Sequence, residues 1–425
     1  MTESPRSPAR SPSISPGARF LGPITDKVLR VAASIESLAK RQLGQAALAL
    51  LLLIYGAHAI TRTMGDFKLY HQAANRLLAG EAIYRLEDPH RYLYAPVLTF
   101  LFVPLAPFPV LFGKIVWFVV NLWIVFSLLR LSVNLVFPDG RAPPGFVVLI
   151  LLLSLRFIDN NVGHGQINLF LTWLILEAYV LAGRGRPGLA GLALAGAIAT
   201  KVVPAVLLLQ IGLRRQWKLG GATVAALGLL MIAPAFWWGR EYPDVLRQWV
   251  AVVMDQAGHY ELGNKINQSI SAFGYRLFRP YPGGIPLWEL PASLVRAFAL
   301  ALHAMFLLPL VRLSARLGSE RTPDPQGPNG DELSLYLIYS TVASPYSWKY
   351  YFASLVLPFA TAARRLWGPS RGRVEFGLWV VFLLNFLPGL RLFGKQAGLL
   401  LQLYSFHFLS AAVLFFVILR ALRER

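Results

Sequence analysis

LGQAALALLLLIYGAHAITRTMGDFKLY, residues Leu43–Tyr70, decides how the rest of the chain is read. The run from about 43 to 62 is roughly twenty positions long, the length that crosses a bilayer. Asp66 is the first acidic residue after it, so a carboxylate is held at a membrane edge. Beyond it Phe67, Tyr70, Ala73, Ala74, Leu77 and Leu78 recur at helical spacing, and Gly80 offers a stop. That spacing predicts a helix lying along the interface, with Asp66 at its start.

The rest of the chain continues the pattern. Hydrophobic residues make up 56% of it, and they fall in runs long or paired enough to cross a bilayer. Further apolar segments lie at about 110–131, 146–158, 167–183, 188–199, 202–213, 219–238, 288–312, 333–343, 350–363, 375–390 and 398–420. With the first run they predict an all-α polytopic membrane protein of about twelve transmembrane helices. Residues 97–109 are apolar but short and broken by Pro104, Pro107 and Pro109, and read as a re-entrant or interfacial piece.

A net charge of +20 would suggest nucleic acid in a soluble protein. Here basic residues collect in short loops between apolar runs, where they fix topology, and no nucleic-acid partner is expected. Residues 1–42 form a basic segment expected to be cytoplasmic, disordered to about Pro23 and a surface amphipathic helix over 24–42. Its long polar lead and lack of a small-residue cleavage site argue against a signal peptide. The remainder, 43–425, reads as one transmembrane domain. Alternation places Arg184 and Arg186, Arg214 and Arg215, Arg364 and Arg365, and the C-terminal arginines inside, with the polar stretch 314–332 as a cytoplasmic linker.

The same alternation sends the loops 63–96 and 239–287, the stretch Gly163–Asn168, Lys201, the stretch Ser344–Lys349, and Arg391 to Lys395 to the other side. The unusual polar residues thus share one face of a multi-pass protein of the cell membrane, with both termini cytoplasmic and the site extracytoplasmic. There is no cysteine, and the seven histidines show no metal-ligand spacing. No cofactor is expected; a divalent ion held by Asp66 with Asp159 or Glu81 stays open.

Each polar residue has a bland reading beside a functional one. Asp66 can cap the interfacial helix or pair with Arg62, or it can act as a base. His164 reads first as a loop histidine, and Gln166 and Asn168 as helix-capping groups; all three also suit sugar or phosphate at a helix start. Lys201 lies between two short apolar runs, where a charge is costly and functional unless it snorkels. Asn264, Asn267 and Gln268 divide evenly between loop polars and substrate ligands. Trp237, Trp238, Tyr242, Trp288, Trp348 and Tyr350 read as an interfacial aromatic belt, with Trp348 also a surface for a sugar.

Seven short motifs occur in order: Asp66 with Tyr70 and Ala73-Ala74; Gly80-Glu81-Ala82-Ile83-Tyr84; Tyr94-Ala95-Pro96; Gly165-Gln166-Ile167-Asn168; Lys201-Val202-Val203-Pro204; Asn267-Gln268-Ser269; and Ser344-Pro345-Tyr346-Ser347-Trp348. This order resembles glycosyltransferase family 87 of the GT-C superfamily over about residues 43–420, and its polyprenol-phosphate-mannose-dependent members. The resemblance implies a helical fold with an extracytoplasmic cavity, a polyprenyl-phosphate sugar donor (a hexose such as mannose), a glycolipid or glycan acceptor, and inversion. It implies Asp66 as general base. Lys201, Lys349 and Arg391 are candidates for the donor phosphate, and Tyr70, His164, Gln166, Asn168, Asn267, Gln268 and Trp348 for substrate. One departure stands out: after Ser-Pro-x-Ser-Trp the family carries an acidic residue and a histidine, and here Lys349-Tyr350-Tyr351 follow. Two rivals remain, a transporter or flippase of polyprenyl-linked sugar and an inactive scaffold subunit. The one-sided polar set speaks against transport, which needs polar groups near the midplane.

Overall fold

A computed structural model describes residues 16–258, 262–319, 330–368, 371–389 and 394–423. Among them the secondary structure is helical, apart from one isolated bridge between Tyr281 and Gly284. The protein is an all-α, multi-pass membrane fold. Among the described residues five helices are long and apolar enough to cross: Gln42–Thr61, Val110–Val136, Phe146–His164, Trp217–Ala257 and Ala292–Ser319. A sixth is broken, Gln396–Leu403 and Phe406–Leu422 meeting at 52°. By helix length and composition, the described residues do not reach the twelve crossings expected. The segments at 167–183, 188–199 and 202–213 form helices of 16, 14 and 8 residues, too short to span singly.

Other boundaries also move. Helix begins at Pro16, so the disorder expected up to Pro23 does not hold for residues 16–23, and the first helix runs Pro16–Ala39 rather than 24–42. It is tied down by Arg371 on Asp26 and by Glu36, which accepts from the Gly145 backbone N–H at 2.7 Å. The loop expected at 239–287 contains the helices Tyr242–Gly258 and Ile270–Phe278. The linker expected at 314–332 is helical to Ser319 and again from Gly330; residues 320–329 lie outside the described residues.

The interfacial helix forms as Gly65–Leu78. Phe67, Tyr70, Ala73, Ala74 and Leu77 are buried, while Leu78 is exposed. Their 3–4 residue spacing puts them on one stripe, which packs against Pro96–Phe102 and Val110–Val136. Phe67 lies 6.2 Å from Phe102 and 6.4 Å from Trp117, ring to ring. The helix ends where expected: Gly80 has φ +70°, its N–H bonds Leu77 O at 3.3 Å, and the Glu81 N–H bonds Arg76 O at 2.8 Å. That is a glycine-terminated Schellman cap.

A second glycine joins two elements. Gly165 closes the helix Phe146–His164 at φ +68°, and its carbonyl accepts from Trp117 Nε1 at 3.0 Å. A Cβ there would stand 2.6 Å from Phe67 Cβ and 3.1 Å from the Phe67 backbone nitrogen. Gly165→Ala is therefore expected to cost about 2–5 kcal/mol, from left-handed strain plus overpacking. Chemical denaturation in detergent checks this; an unchanged midpoint would show that the two helices are not locked here.

Candidate active site

Two features aim Asp66. The turn after the first span is pinned: Arg62 bonds Asp159 at 2.8 Å, and Lys114 Nζ bonds Arg62 O at 2.7 Å. Tyr55 Oη also donates to Asp159, at 3.1 Å. Arg62 therefore does not pair with Asp66. Nor is Asp66 the helix cap: Met64, at φ +43°, holds that position, and no side chain caps the helix. With both bland roles unfilled, the half-buried carboxyl of Asp66 lies beside Gln166, whose side-chain amide favours its ionised form.

From Gln166 the polar chain continues. Its Oε1 accepts from Asn168 Nδ2 at 3.3 Å, and Asn168 Oδ1 accepts from Lys201 Nζ at 2.7 Å. Asn161 clamps the turn, exchanging bonds of 3.0 Å with the Gln166 backbone. Gln166 and Asn168 are buried. The turn exists because Phe146–His164 ends at the left-handed Gly165 and the next helix begins at Asn168, which carries both amides to one place. Gly163 and His164 belong to the last helical turn, not to a loop.

Lys201 follows the short helix Pro187–Thr200, and its ammonium sits 4.0 Å from the Tyr351 ring centroid and 5.8 Å from that of Tyr94. Two aromatic faces and an amide oxygen thus hold a half-buried cation near Asp66. Tyr94 Oη and Tyr70 Oη lie 2.9 Å apart. Tyr350 stacks on Tyr351 at 5.6 Å, meets His164 at 5.5 Å and Trp348 at 5.3 Å.

Burial pushes the Asp66 carboxyl above the usual carboxylate range. The Gln166 hydrogen bond pulls the other way, followed by the charges of Lys201, His164 and His90. Burial first, and Asp66 among the charges, holds the Tyr70 and Tyr94 phenols well above their ordinary values. Both stay protonated at neutral pH, so neither phenol serves as a proton acceptor.

The structure thus brings Asp66, Tyr70, His164, Gln166, Asn168 and Lys201 together, with Trp348 one ring further out. Asn267 and Gln268 do something else. Asn267 Nδ2 donates to Pro345 O at 3.0 Å, and its Oδ1 accepts from the Ser347 N–H at 3.1 Å. The Gln268 N–H donates to Ser347 O at 2.7 Å, and its Nε2 donates to Gln402 O at 2.9 Å. Both are fully buried, and they bracket the Ser344–Trp348 segment rather than face a cavity. Arg391 lies outside the described residues. Asp159 and Glu81, raised as co-ligands of a cation, are paired with Arg62 and Arg85. Among the described residues, no three His, Asp or Glu side chains gather into a possible metal site.

Sequence reasoning missed Asn161, Tyr94, Tyr350 and Tyr351 as parts of the cluster. Tyr350, expected in an aromatic belt, is buried beside His164. The available signal was the aromatic run after Lys349: rings in a polar stretch are natural partners for a buried cation such as Lys201.

A family model described as glycosyltransferase family 87 matches residues 92–321, more than half of the chain. The matched part contains Tyr94, His164, Gln166, Asn168, Lys201, Asn267 and Gln268; Asp66, Tyr70 and the Trp348 region lie outside it. Comparison with curated proteins and with solved structures returned no match.

Proposed function

The chain belongs to glycosyltransferase family 87, and we propose that it moves a hexose such as mannose from a polyprenyl-phosphate donor to a glycolipid or glycan acceptor on the extracytoplasmic side. The observation that supports the reading is the carboxyl of Asp66, in no cap or ion pair among the described residues and beside Gln166, whose side chain is linked through Asn168 to Lys201.

The reaction is a single displacement. Asp66 takes the proton of the acceptor hydroxyl as that oxygen bonds the anomeric carbon. The bond from that carbon to the phosphate oxygen breaks, and the polyprenyl phosphate leaves with the electron pair. Attack opposite the leaving group inverts the anomeric configuration. A sugar hydroxyl is a weak nucleophile until its proton is removed, which is the service a nearby carboxylate gives. The leaving group needs cationic or N–H donors, and Lys201 and Lys349 are the described candidates. Gln166, Asn168 and His164 suit sugar hydroxyls, and Trp348 and the tyrosines suit sugar faces.

The test uses the purified chain in lipid nanodiscs and in vesicles, with radiolabelled polyprenyl-phosphate mannose and a lipid extract. The expected products are free polyprenyl phosphate and one new labelled glycolipid. Labelled donor that crosses the vesicle bilayer intact, with no phosphate freed, would instead make the protein a carrier.

A further inference from the structure

The two cationic regions of the site differ in charge balance. Lys201 shares its surroundings with Asp66. Lys349, two residues before Tyr351, is half-buried, and among the described residues no carboxylate or hydrogen-bonding partner of its ammonium is found. Its charged neighbour is another cation, Arg156. Burial, and after it the Arg156 charge, pull the Lys349 ammonium down to about 8.

The geometry agrees. The helix Phe146–His164, which carries Arg156, packs on the Lys349–Leu355 turn, with Phe157 and Phe352 stacked at 5.4 Å. Arg156 donates to the carbonyls of Asn385 and Phe386, leaving part of its guanidinium fork unused. Asn385 Oδ1 lies 3.3 Å from Nδ1 of the buried His407, whose Nε2 has no partner. Ser347 Oγ and Trp348 Nε1, just before Lys349, are likewise buried without partners. Positive charge and the unmet donors of Ser347 and Trp348 thus lie near one another, with no described carboxylate beside Lys349 to balance them.

We propose that Arg156 and Lys349 together form an anion site that takes the phosphate of a lipid-linked ligand. A guanidinium fork beside a point-charge ammonium suits phosphate oxygens. Arg156 lies near the end of the apolar part of the helix Phe146–His164, before the polar Asp159-Asn160-Asn161. At the end of an apolar run, a phosphate carried on an apolar tail is delivered from the bilayer, as a free phosphate is not. The dyad would hold the leaving phosphate, and Lys201 would be left to position Asp66. This rests on the polyprenyl-phosphate donor proposed above.

Binding separates the two. The purified chain in nanodiscs is titrated with polyprenyl phosphate, and in a second arm with inorganic phosphate. Wild type and Asp66→Asn should bind the lipid alike. Lys349→Gln and Arg156→Gln should each weaken it about 10- to 100-fold, the loss of one charged hydrogen-bonding group. Arg156 also caps a helix, so Lys349→Gln, which breaks no described contact, is the deciding variant. Tight lipid binding unchanged in Lys349→Gln overturns the dyad while leaving the donor reading intact. A variant effect on inorganic phosphate but not on the lipid overturns it as well. Wild type that fails to bind polyprenyl phosphate overturns the donor reading and, with it, this assignment.

Discussion

Asp66→Asn is expected to lower kcat by about 10³-fold while leaving the fold intact, within the 10²–10⁴-fold range of a lost general base. Asparagine has nearly the same shape and carries no charge. The loss should fall on kcat rather than on KM for the donor, because the proton is in transit only in the transition state. Burial raises the Asp66 carboxyl above its unfolded value, so its stability contribution is present below the unfolded range and lost as pH rises through the folded pKa. At neutral pH the ionised carboxylate therefore weakens the fold, and the asparagine variant should melt no lower than wild type. Single-turnover assays beside thermal melts check both halves. Wild-type turnover in the variant would remove Asp66 from the chemistry; a collapsed melt would make it a structural residue.

What the sequence made legible follows the range of each signal. The interfacial helix was readable because its information is local: a period of three to four residues, a glycine at the end, and a membrane edge set by one apolar run. Phe67, Tyr70, Ala73, Ala74 and Leu77 are buried as the spacing required. Asp66 was findable for the same reason, a carboxylate just past a twenty-residue apolar stretch. Gln166, Asn168 and Lys201 came to light as polar residues in apolar surroundings, and the structure links them within 3.3 Å.

The failures are those of long range. The pairing of Arg62 with Asp159, 97 residues away, cannot be read from i,i+4 spacing, which offered Asp66 instead. Asn267 looked like a substrate ligand because an amide in a loop presents the same letter whether it meets a sugar or the backbone of Ser347. The crossings expected and the spans recognised by length part where apolar content was sufficient and length was not. The helices Asn168–Gly183 and Pro187–Thr200 pack against each other as short apolar pieces, and composition alone does not distinguish such a piece from a crossing. Lys349 was visible as a departure from a motif, but its neighbour Arg156 lay inside an apolar run and passed unmarked.

Lys201→Met should produce the second large effect, a loss in kcat of about 10²-fold together with a displaced pH profile. The magnitude is that of one preorganised charged group in a water-poor site. The direction on the pH axis follows from the Asp66 surroundings. Lys201 is one of the charges that favours the ionised carboxylate against burial. Without it the Asp66 pKa rises further, and a base must be deprotonated to act. The acid limb of kcat/KM should therefore move to higher pH in the variant, and raising the pH should recover part of the lost rate. Asn168, released from its 2.7 Å bond to the ammonium, should contribute a pH-independent remainder. Lys201→Arg keeps the charge and should leave the acid limb near its wild-type position even if the rings of Tyr94 and Tyr351 seat it poorly. A rate loss in Lys201→Met with no displacement of the acid limb would show that Lys201 acts on the substrate alone, and the link from Asp66 through Gln166 and Asn168 would then be scaffolding rather than electrostatics.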